Sequence, residues 1–179
     1  MRPGRSSFEL AVTPHLHAGY QLARWLTKSD HDAQDVVQEA WLRAHRFFDG
    51  FAGGNVRAWF LSVVRNACWT WLERNRPTTL ASGPAALEAA ERDPGQQRCG
   101  PATPEAELLR KADARALTAA IGALPPEFRE AFVLRELEGL SYKEIAAACG
   151  IPIGTVMSRL SRAREALRLR LAPAKEGTP

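Results

Sequence analysis

The sequence predicts an all-α protein in which two small helical domains are joined by a flexible linker. Apolar residues recur at helical spacing in both halves of the 179-residue chain, and neither half shows the strict alternation of a strand. Between the halves, residues 77–104 carry five prolines among Gly, Ser, Thr and Ala, which is typical of a linker. The predicted domains are therefore 8–76 and 105–172, with a disordered N-terminal tail over 1–7 and a C-terminal tail over 173–179.

The composition narrows the classes of function. A formal net charge of +4 and a pI of about 9.3 favour an anionic partner. No apolar run approaches the roughly 18 to 20 residues of a membrane helix, and the N-terminus has no signal-peptide core, so we expect a cytoplasmic location without membrane insertion. Cys68, Cys99 and Cys149 are spaced neither as a disulfide framework nor as a zinc site, so neither a metal nor a cofactor is expected.

The first two predicted helices cover 8–27 and 29–48. In the second, Val36, Ala40 and Ala44 recur every four residues and form a stripe that we expect to be buried. Five residues of this helix lie off the stripe, where they can meet a partner: Asp35, Gln38, Glu39, Leu42 and Arg43.

The third predicted helix, over 56–75, mixes aromatic and basic residues. Trp69 and Trp71 diverge by about 200° around a helix, so at least one of these rings should be partly exposed beside basic groups. Aromatic rings interleaved with arginines suit unstacked bases on a phosphate backbone. The basic and amide residues concerned are Arg57, Arg65, Asn66, Arg74 and, just after the helix, Arg76.

The C-terminal half predicts a helix-turn-helix. Ser141 and Glu144 form the S-x-x-E capping box of a short helix, and Gly150 and Pro152 end it in a tight turn. The next helix carries a buried stripe of five residues: Val156, Leu160, Ala163, Leu167 and Leu171. Its N-terminal end, which a helix-turn-helix places at base edges in the major groove, exposes Thr155, Met157, Ser158, Arg159 and Arg162.

Together these segments closely resemble the extracytoplasmic-function (ECF, group 4) sigma factors of the sigma-70 family. The resemblance rests on "DAQDVVQEAWLRAHR" and "FLSVVRNACWTWLERNR" in the N-terminal half and on "ALPPEFREAFVLRELEGLSYKEIAAACGIPIGTVMSRLSRAREALR" in the C-terminal half. It implies a sigma-2-like helical bundle and a sigma-4-like helix-turn-helix. It also implies a protein that binds core RNA polymerase, directs transcription initiation at promoters and is controlled by an anti-sigma factor.

The resemblance further implies a role for particular residues. Contact with the polymerase clamp helices is implied for Asp35, Gln38, Glu39 and Leu42, and the polymerase flap is a second expected contact. Phe51 and Asn66 match positions that grip a flipped base of the −10 element. The remaining expected −10 contacts are Arg57, Arg65 and Trp69. The expected −35 contacts are Thr155, Ser158, Arg159 and Arg162.

Two other classes of function stay open beside a monomeric sigma factor. A stand-alone helix-turn-helix repressor or activator would need a dimer interface and paired half-sites, and it would leave "DVVQEAW" and the aromatic-basic helix without a role. An enzyme acting on nucleic acid would need a metal-binding carboxylate cluster, a glycine-rich phosphate loop or a nucleophile with its base. The sequence offers none of these patterns, so no catalytic residue is predicted.

Overall fold

The computed structural model describes residues 5–75 and 104–172, with side chains described over 7–75 and 112–172. Within these ranges the regular elements are all helices, which confirms the predicted all-α class. The predicted linker over 77–104, apart from Pro104, and the C-terminal tail over 173–179 lie outside the described residues. A helix begins at Arg5, within the predicted N-terminal tail, and residues 1–4 of that tail lie outside the described residues.

The single helix predicted over 8–27 is wrong, since the structure breaks it in two. Helix α1 spans Arg5–Val12, a short 3₁₀ turn covers Thr13–His15, and α2 spans Leu16–Thr27. Pro14 explains the break, because proline lacks the N–H that a continuous helix would use and its ring collides with the preceding turn. On the N-terminal side of the break, Phe8 of α1 is buried, with its ring against Trp41 and Phe48.

Helix α3 spans Asp30–Phe47, and α4 spans Val56–Arg74. Each begins at a polar cap: the side chain of Ser29 accepts from Asp32 N, and that of Asn55 accepts from Ala58 N. The predicted stripe of α3 is buried at Val36, Ala40 and Ala44. The helices α2, α3 and α4 pack on one another, and their shared core includes Leu22, Leu26, Phe60, Leu61 and Val64.

The described part of the C-terminal half, residues 104–172, contains four α-helices. Helix α5 spans Pro104–Gly122, and α6 spans Pro126–Phe132 and continues into a π-helical turn at Val133–Leu137. Helices α7, Tyr142–Cys149, and α8, Ile153–Leu171, form the predicted helix-turn-helix.

The capping box of Ser141 and Glu144 is present in α7, and Gly150 ends that helix with a φ of 66°, a left-handed conformation that glycine adopts without strain. Four stripe residues of α8 are buried: Val156, Leu160, Ala163 and Leu167. The fifth, Leu171, is 42% exposed, because it is the last residue of the helix.

The two helical halves pack directly against each other. Helix α4 of the N-terminal half lies along α7 of the helix-turn-helix, and α2 contacts α6. The helix that carries the predicted −10 residues is therefore in contact with the domain that carries the predicted −35 residues.

Candidate nucleic-acid interface

The outer face of α3 carries the residues for which the sequence predicts polymerase contact. Asp35, Gln38 and Leu42 are exposed, and their spacing of three and four residues places them on one side of the helix. The Leu42 side chain is 55% exposed, so another protein can reach it on this face. Glu39, half-buried, forms an ion pair with Arg43 one turn along the same helix.

An apolar groove of about 520 Å³ lies beside this face, between α2 and α3. Gln38 lines it from α3, together with Val37 and Trp41, while Leu16 and Tyr20 line it from α2. The sequence analysis did not identify the contribution of α2. The available signal was the four-residue spacing of Leu16 and Tyr20, which places them on one face of their helix.

Phe51 lies in the loop before α4 within a cluster of aromatic rings. Its ring centroid lies 6.1 Å from that of Phe48, with the planes nearly parallel, and 5.1 Å from that of Trp59. The exposed Asn66 is seven residues beyond Trp59 in α4, about 10 Å along the helix axis. The structure therefore places these two predicted base contacts at separate points of the surface.

Three predicted −10 residues of α4 face the C-terminal half of the chain. Arg57, Arg65 and Trp69 are separated by eight and four residues and lie on one side of α4. All three donate hydrogen bonds to residues that follow α5. Arg65 also donates to the side-chain oxygen of Asn66, at 3.1 Å.

Glu130 of α6 is the acceptor for two of these donors. Its Oε1 lies 2.6 Å from Arg65 Nε and 2.7 Å from Trp69 Nε1. Its Oε2 lies 3.8 Å from Nη1 of Arg159, which belongs to the predicted −35 helix α8. The Glu130 side chain is 0% exposed, so this carboxylate is enclosed by groups from both predicted DNA-binding helices.

A second contact joins the halves at the start of α4. Arg57 donates to the backbone oxygen and the carboxylate of Glu138, which is 6% exposed and follows the π-helical turn. Next to it, Asn55 Nδ2 lies 2.5 Å from Oε1 of Glu144. Asn55 caps α4 and Glu144 belongs to the capping box of α7, so the N-termini of these two helices are tied together.

Burial and charge shift several pKa values at this contact. Burial lowers the pKa of Arg65, but the hydrogen bond and charge of Glu130 outweigh it and leave the pKa above its ordinary value. Burial raises the pKa of Glu138, and the charge of Arg57 opposes that effect. Burial and the charge of Glu130 raise the pKa of Cys149 to about 12, and the same two causes raise that of Cys68.

Arg129 also crosses between the halves. Its guanidinium donates to the backbone oxygen of Trp25 at 2.9 Å and to that of Leu124 at 2.7 Å, while its buried Nε has no partner. The residue is only 3% exposed, and burial lowers its pKa to about 10. A guanidinium with that pKa remains charged at neutral pH, so the contact holds a buried cation that donates to backbone oxygens.

The predicted −35 residues lie on the first three turns of α8 but differ in exposure. Ser158 and Arg162 are exposed, whereas Thr155 and Arg159 are half-buried. Ser158 Oγ donates to Thr155 O at 3.0 Å, and Arg159 is directed toward Glu130. Only part of the predicted duplex-reading surface is therefore open to solvent in this arrangement.

The sequence analysis missed the acidic residues that bind these donors. Glu130 lies four residues before Leu134, and both are buried, so a carboxylate occupies a position of an apolar stripe. That position was the signal available in the sequence. The partner of Glu130 could not be read in the same way, because Arg65 is 65 residues away in the chain.

Two features that would suggest other functions are not found in the described residues. No helix within 5–75 or 104–172 is long and apolar enough to cross a membrane. The same part of the chain contains no group of three or more His, Cys, Asp or Glu residues that could hold a metal ion.

Comparison with protein families matches the two halves of the chain separately. The family model described as Sigma-70 region 2 matches residues 11–78. The model described as Sigma-70, region 4 matches residues 114–167. The first range contains α3 and α4, and the second contains the helix-turn-helix.

Known proteins match along almost the whole chain. The ECF RNA polymerase sigma-E factor of Escherichia coli strain K12 is 34% identical over 170 residues, which cover 94% of this chain and 88% of that protein. The ECF RNA polymerase sigma factor SigE of Mycolicibacterium smegmatis is 34% identical over 166 residues, and the chain spans 62% of the length of that relative. A crystal structure of the sigma factor RpoE from Bartonella quintana, with the anti-sigma factor NepR, matches with a TM-score of 0.71 at 28% identity, covering 92% of this chain and 96% of that one. The chain therefore belongs to the extracytoplasmic-function RNA polymerase sigma factors of the sigma-70 family.

Proposed function

We propose that this sigma factor binds core RNA polymerase through α3 and directs it to promoters by reading the −10 element with α4 and the −35 element with α8. The observation that carries the proposal is the presence in one chain of two different surfaces whose chemistry suits nucleic acid. One is a basic and aromatic helix suited to single-stranded DNA, and the other is a helix-turn-helix suited to duplex DNA.

The chemistry of a promoter accounts for both surfaces. Two short elements separated by several turns of duplex need two domains, because one small domain does not span them. Unstacking a base costs a few kcal/mol, and a site that stacks and hydrogen-bonds the displaced strand offsets that cost. In the proposed function, Phe51 and Asn66 hold displaced bases, Arg57 and Arg65 bind the phosphates, and Trp69 adds a stacking surface.

At the other element, the N-terminal turns of α8 enter the major groove. Thr155, Ser158, Arg159 and Arg162 make the contacts. Arginine can donate two hydrogen bonds to guanine O6 and N7, and serine and threonine can bond to either a base edge or a phosphate. The exposed Ser158 and Arg162 are available first, and Arg159 becomes available when it leaves Glu130.

The exposed face of α3 supplies the polymerase contact. Asp35, Gln38 and Glu39 offer polar groups around the exposed Leu42, which gives the apolar centre and polar rim common in protein interfaces. In this proposal the clamp helices of core polymerase dock there and the flap contacts the C-terminal half. The sigma factor itself contributes no catalytic group, and it acts in the cytoplasm, where polymerase and DNA are found.

Control by an anti-sigma factor completes the proposal. The Bartonella quintana relative was crystallised with an anti-sigma factor, and it matches this chain across both halves. We expect the chain to be a monomer when it is free. Bound to such a protein, it would be held inactive until a signal releases it.

Reconstituted transcription tests the proposal. The purified chain is mixed with core RNA polymerase and with promoter fragments recovered by sequencing the DNA that the chain occupies in cells. Run-off transcripts that require both the chain and the promoter are expected. Binding of the chain to duplex DNA as a dimer, without affinity for core polymerase, would instead support a stand-alone helix-turn-helix regulator and contradict the proposal.

A further inference from the structure

We infer that the free chain inhibits its own binding to DNA. Glu130 and Glu138 hold the side chains of α4 and α8 that would otherwise bind promoter DNA. The inference rests on the proposed function, since it takes the basic and aromatic residues of these helices as DNA contacts. It goes further by assigning a function to two acidic residues of the C-terminal half.

Glu130 stands between the two DNA-binding surfaces. Arg65 Nε, at 2.6 Å, and Trp69 Nε1, at 2.7 Å, donate to one oxygen, and Arg159 lies 3.8 Å from the other. A guanidinium binds a carboxylate and a phosphate through the same N–H groups. A donor that is directed at buried Glu130 therefore cannot at the same time bind the DNA backbone or a base.

Because Glu130 is buried, the positions of the two halves decide whether these cations bind Glu130 or DNA. The carboxylate is 0% exposed, and the side chains of Arg65 and Arg159 are only 17% and 24% exposed. DNA can reach these cations only after α4 moves away from the C-terminal half. The single-strand surface and Arg159 of the duplex surface become available in the same movement.

Glu138 holds the other end of α4. Its carboxylate accepts from Arg57, eight residues before Arg65 and thus about 12 Å away along the helix axis. The bond between Asn55 and Glu144 adds a third connection next to it. The C-terminal half is therefore attached to α4 at two separated places, which prevents it from pivoting about one of them.

The contact is also built to separate as a unit. Removing one member of a buried ion pair leaves the other charge without compensation in a place that water does not reach. Arg129 is a buried cation that donates to two backbone oxygens, and it becomes hydrated when the halves part. A partial opening breaks these contacts while water still cannot reach the charged groups, and is therefore costly. A full opening hydrates all of the groups.

Native thiols give a readout of opening. Cys68 is 0% exposed and Cys149 is 8% exposed, and both thiols lie within the electrostatic reach of Glu130. The full-length chain carrying Cys99→Ser is treated with a chromogenic disulfide reagent, so that only these two thiols are counted. In parallel, its affinity is measured for a fluorescein-labelled single strand of random sequence, about 20 nucleotides long.

The test variant is Glu130→Gln, which keeps the side-chain volume but removes the charge between Arg65 and Arg159. The matched control is Glu165→Gln, which removes the same charge from an exposed residue whose partner, Arg168, lies in the same helix. Relative to the control, Glu130→Gln should raise the thiol-labelling rate at least about tenfold and tighten binding to the single strand at least about fivefold.

Two further measurements keep the inference falsifiable. Circular dichroism checks that each variant keeps its helices, and Glu138→Gln, at the other end of the contact, serves if Glu130→Gln loses helix. Labelling rates and DNA affinities equal to those of Glu165→Gln in both variants would overturn the inference. A wild-type chain that gives no promoter-dependent transcript with core polymerase would contradict the proposed function, whereas the labelling result tests self-inhibition separately.

Discussion

At the scale of single residues, Arg159 links the predicted chemistry of the site to the observed contacts. The helical pattern places it at the start of α8, where a helix-turn-helix reads bases, while the structure directs it toward Glu130. Its side chain is only 24% exposed and is directed at Glu130, so DNA reaches it only after the two halves part. Replacing Arg159 should therefore change DNA binding differently from replacing an arginine at the far end of the same helix.

We expect Arg159→Ala to weaken binding of the polymerase holoenzyme to the −35 duplex by about 1 to 3 kcal/mol, because a base-reading arginine loses a bidentate contact. The measurement is a titration of holoenzyme on promoter fragments with an intact or a substituted −35 element. The variant should also discriminate less between the two fragments. Arg170→Ala, which removes the same charge from the last turn, is the control, and equal losses in both variants would remove Arg159 from the base contacts.

The thiol of Cys149 gives a pH dependence whose sign can be derived. Burial and the charge of Glu130 raise its pKa from 9.0 to about 12 in the folded chain, so the folded state keeps a proton that the unfolded state releases above pH 9. The contribution to stability is therefore complete below about pH 9 and is lost as the pH rises toward about 12.

We expect the free energy of urea unfolding of the wild type to fall by about 1.4 kcal/mol more than that of Cys149→Ser between pH 8 and pH 10. The comparison cancels the other titrating groups, since both chains contain them. Parallel stability curves for the two chains across this range would show that the Cys149 thiol titrates normally.

At the scale of helices, the packing of α2 on α4 depends on one residue without a side chain. A Cβ atom at Gly19 would lie 2.8 Å from Phe60 Cε1 and 3.1 Å from Val64 Cγ2. Phe60 is fully buried, so its ring has little room to move. Glycine costs up to about 1 kcal/mol in a helix relative to alanine, and here that cost permits the close approach of two helices.

We expect Gly19→Ala to lower the free energy of unfolding by about 1 to 2 kcal/mol, because overpacking of the core outweighs the gain in helix propensity. Gly154→Ala in α8 is the control, since a Cβ there meets nothing within 4 Å and should leave stability unchanged or raise it by up to about 1 kcal/mol. Chemical denaturation of both variants provides the comparison. A Gly19→Ala chain as stable as the control would mean that α2 and α4 can move apart without cost.

The helices and their caps were largely predictable from the sequence. The capping box at Ser141 and the buried stripe from Val156 to Leu167 depend on residues three to eleven positions apart, which one helix brings together. The break at Pro14 was missed, although proline carries its own signal, because the apolar pattern continues on both sides of it.

At the scale of the whole molecule, the contact between the two halves was beyond what the sequence could predict. It joins Arg57 to Glu138, 81 residues away, and Asn55 to Glu144, 89 residues away. Helical periodicity carries no information about such pairs. The sequence analysis placed Arg57, Arg65 and Trp69 on a DNA-binding surface, and that assignment remains a prediction, but their protein partners appear only when both halves are seen together.

We expect a double-mutant cycle of Arg57→Ala and Glu138→Ala to give a coupling free energy of about 1 to 3 kcal/mol, because the Glu138 carboxylate is buried. The same cycle for Arg168→Ala and Glu165→Ala, an exposed pair within α8, should give a clearly smaller coupling free energy, because solvent screens both charges. Urea unfolding of the wild type, the four single variants and the two double variants measures both values. Equal couplings for the two pairs would show that the halves are not held together by the buried pair.

The complete burial of Glu130 has a further consequence for how the chain responds to ionic strength. Dissolved ions screen exposed charges over about 8 Å at physiological salt, but they act only weakly on a pair that water does not reach. The affinity of a protein for DNA, by contrast, falls steeply as salt displaces it from the phosphates. Raising the salt concentration therefore weakens the binding of Arg65 and Arg159 to DNA much more than their binding to Glu130. A rise in cellular ionic strength would keep the two halves of the free sigma factor packed together.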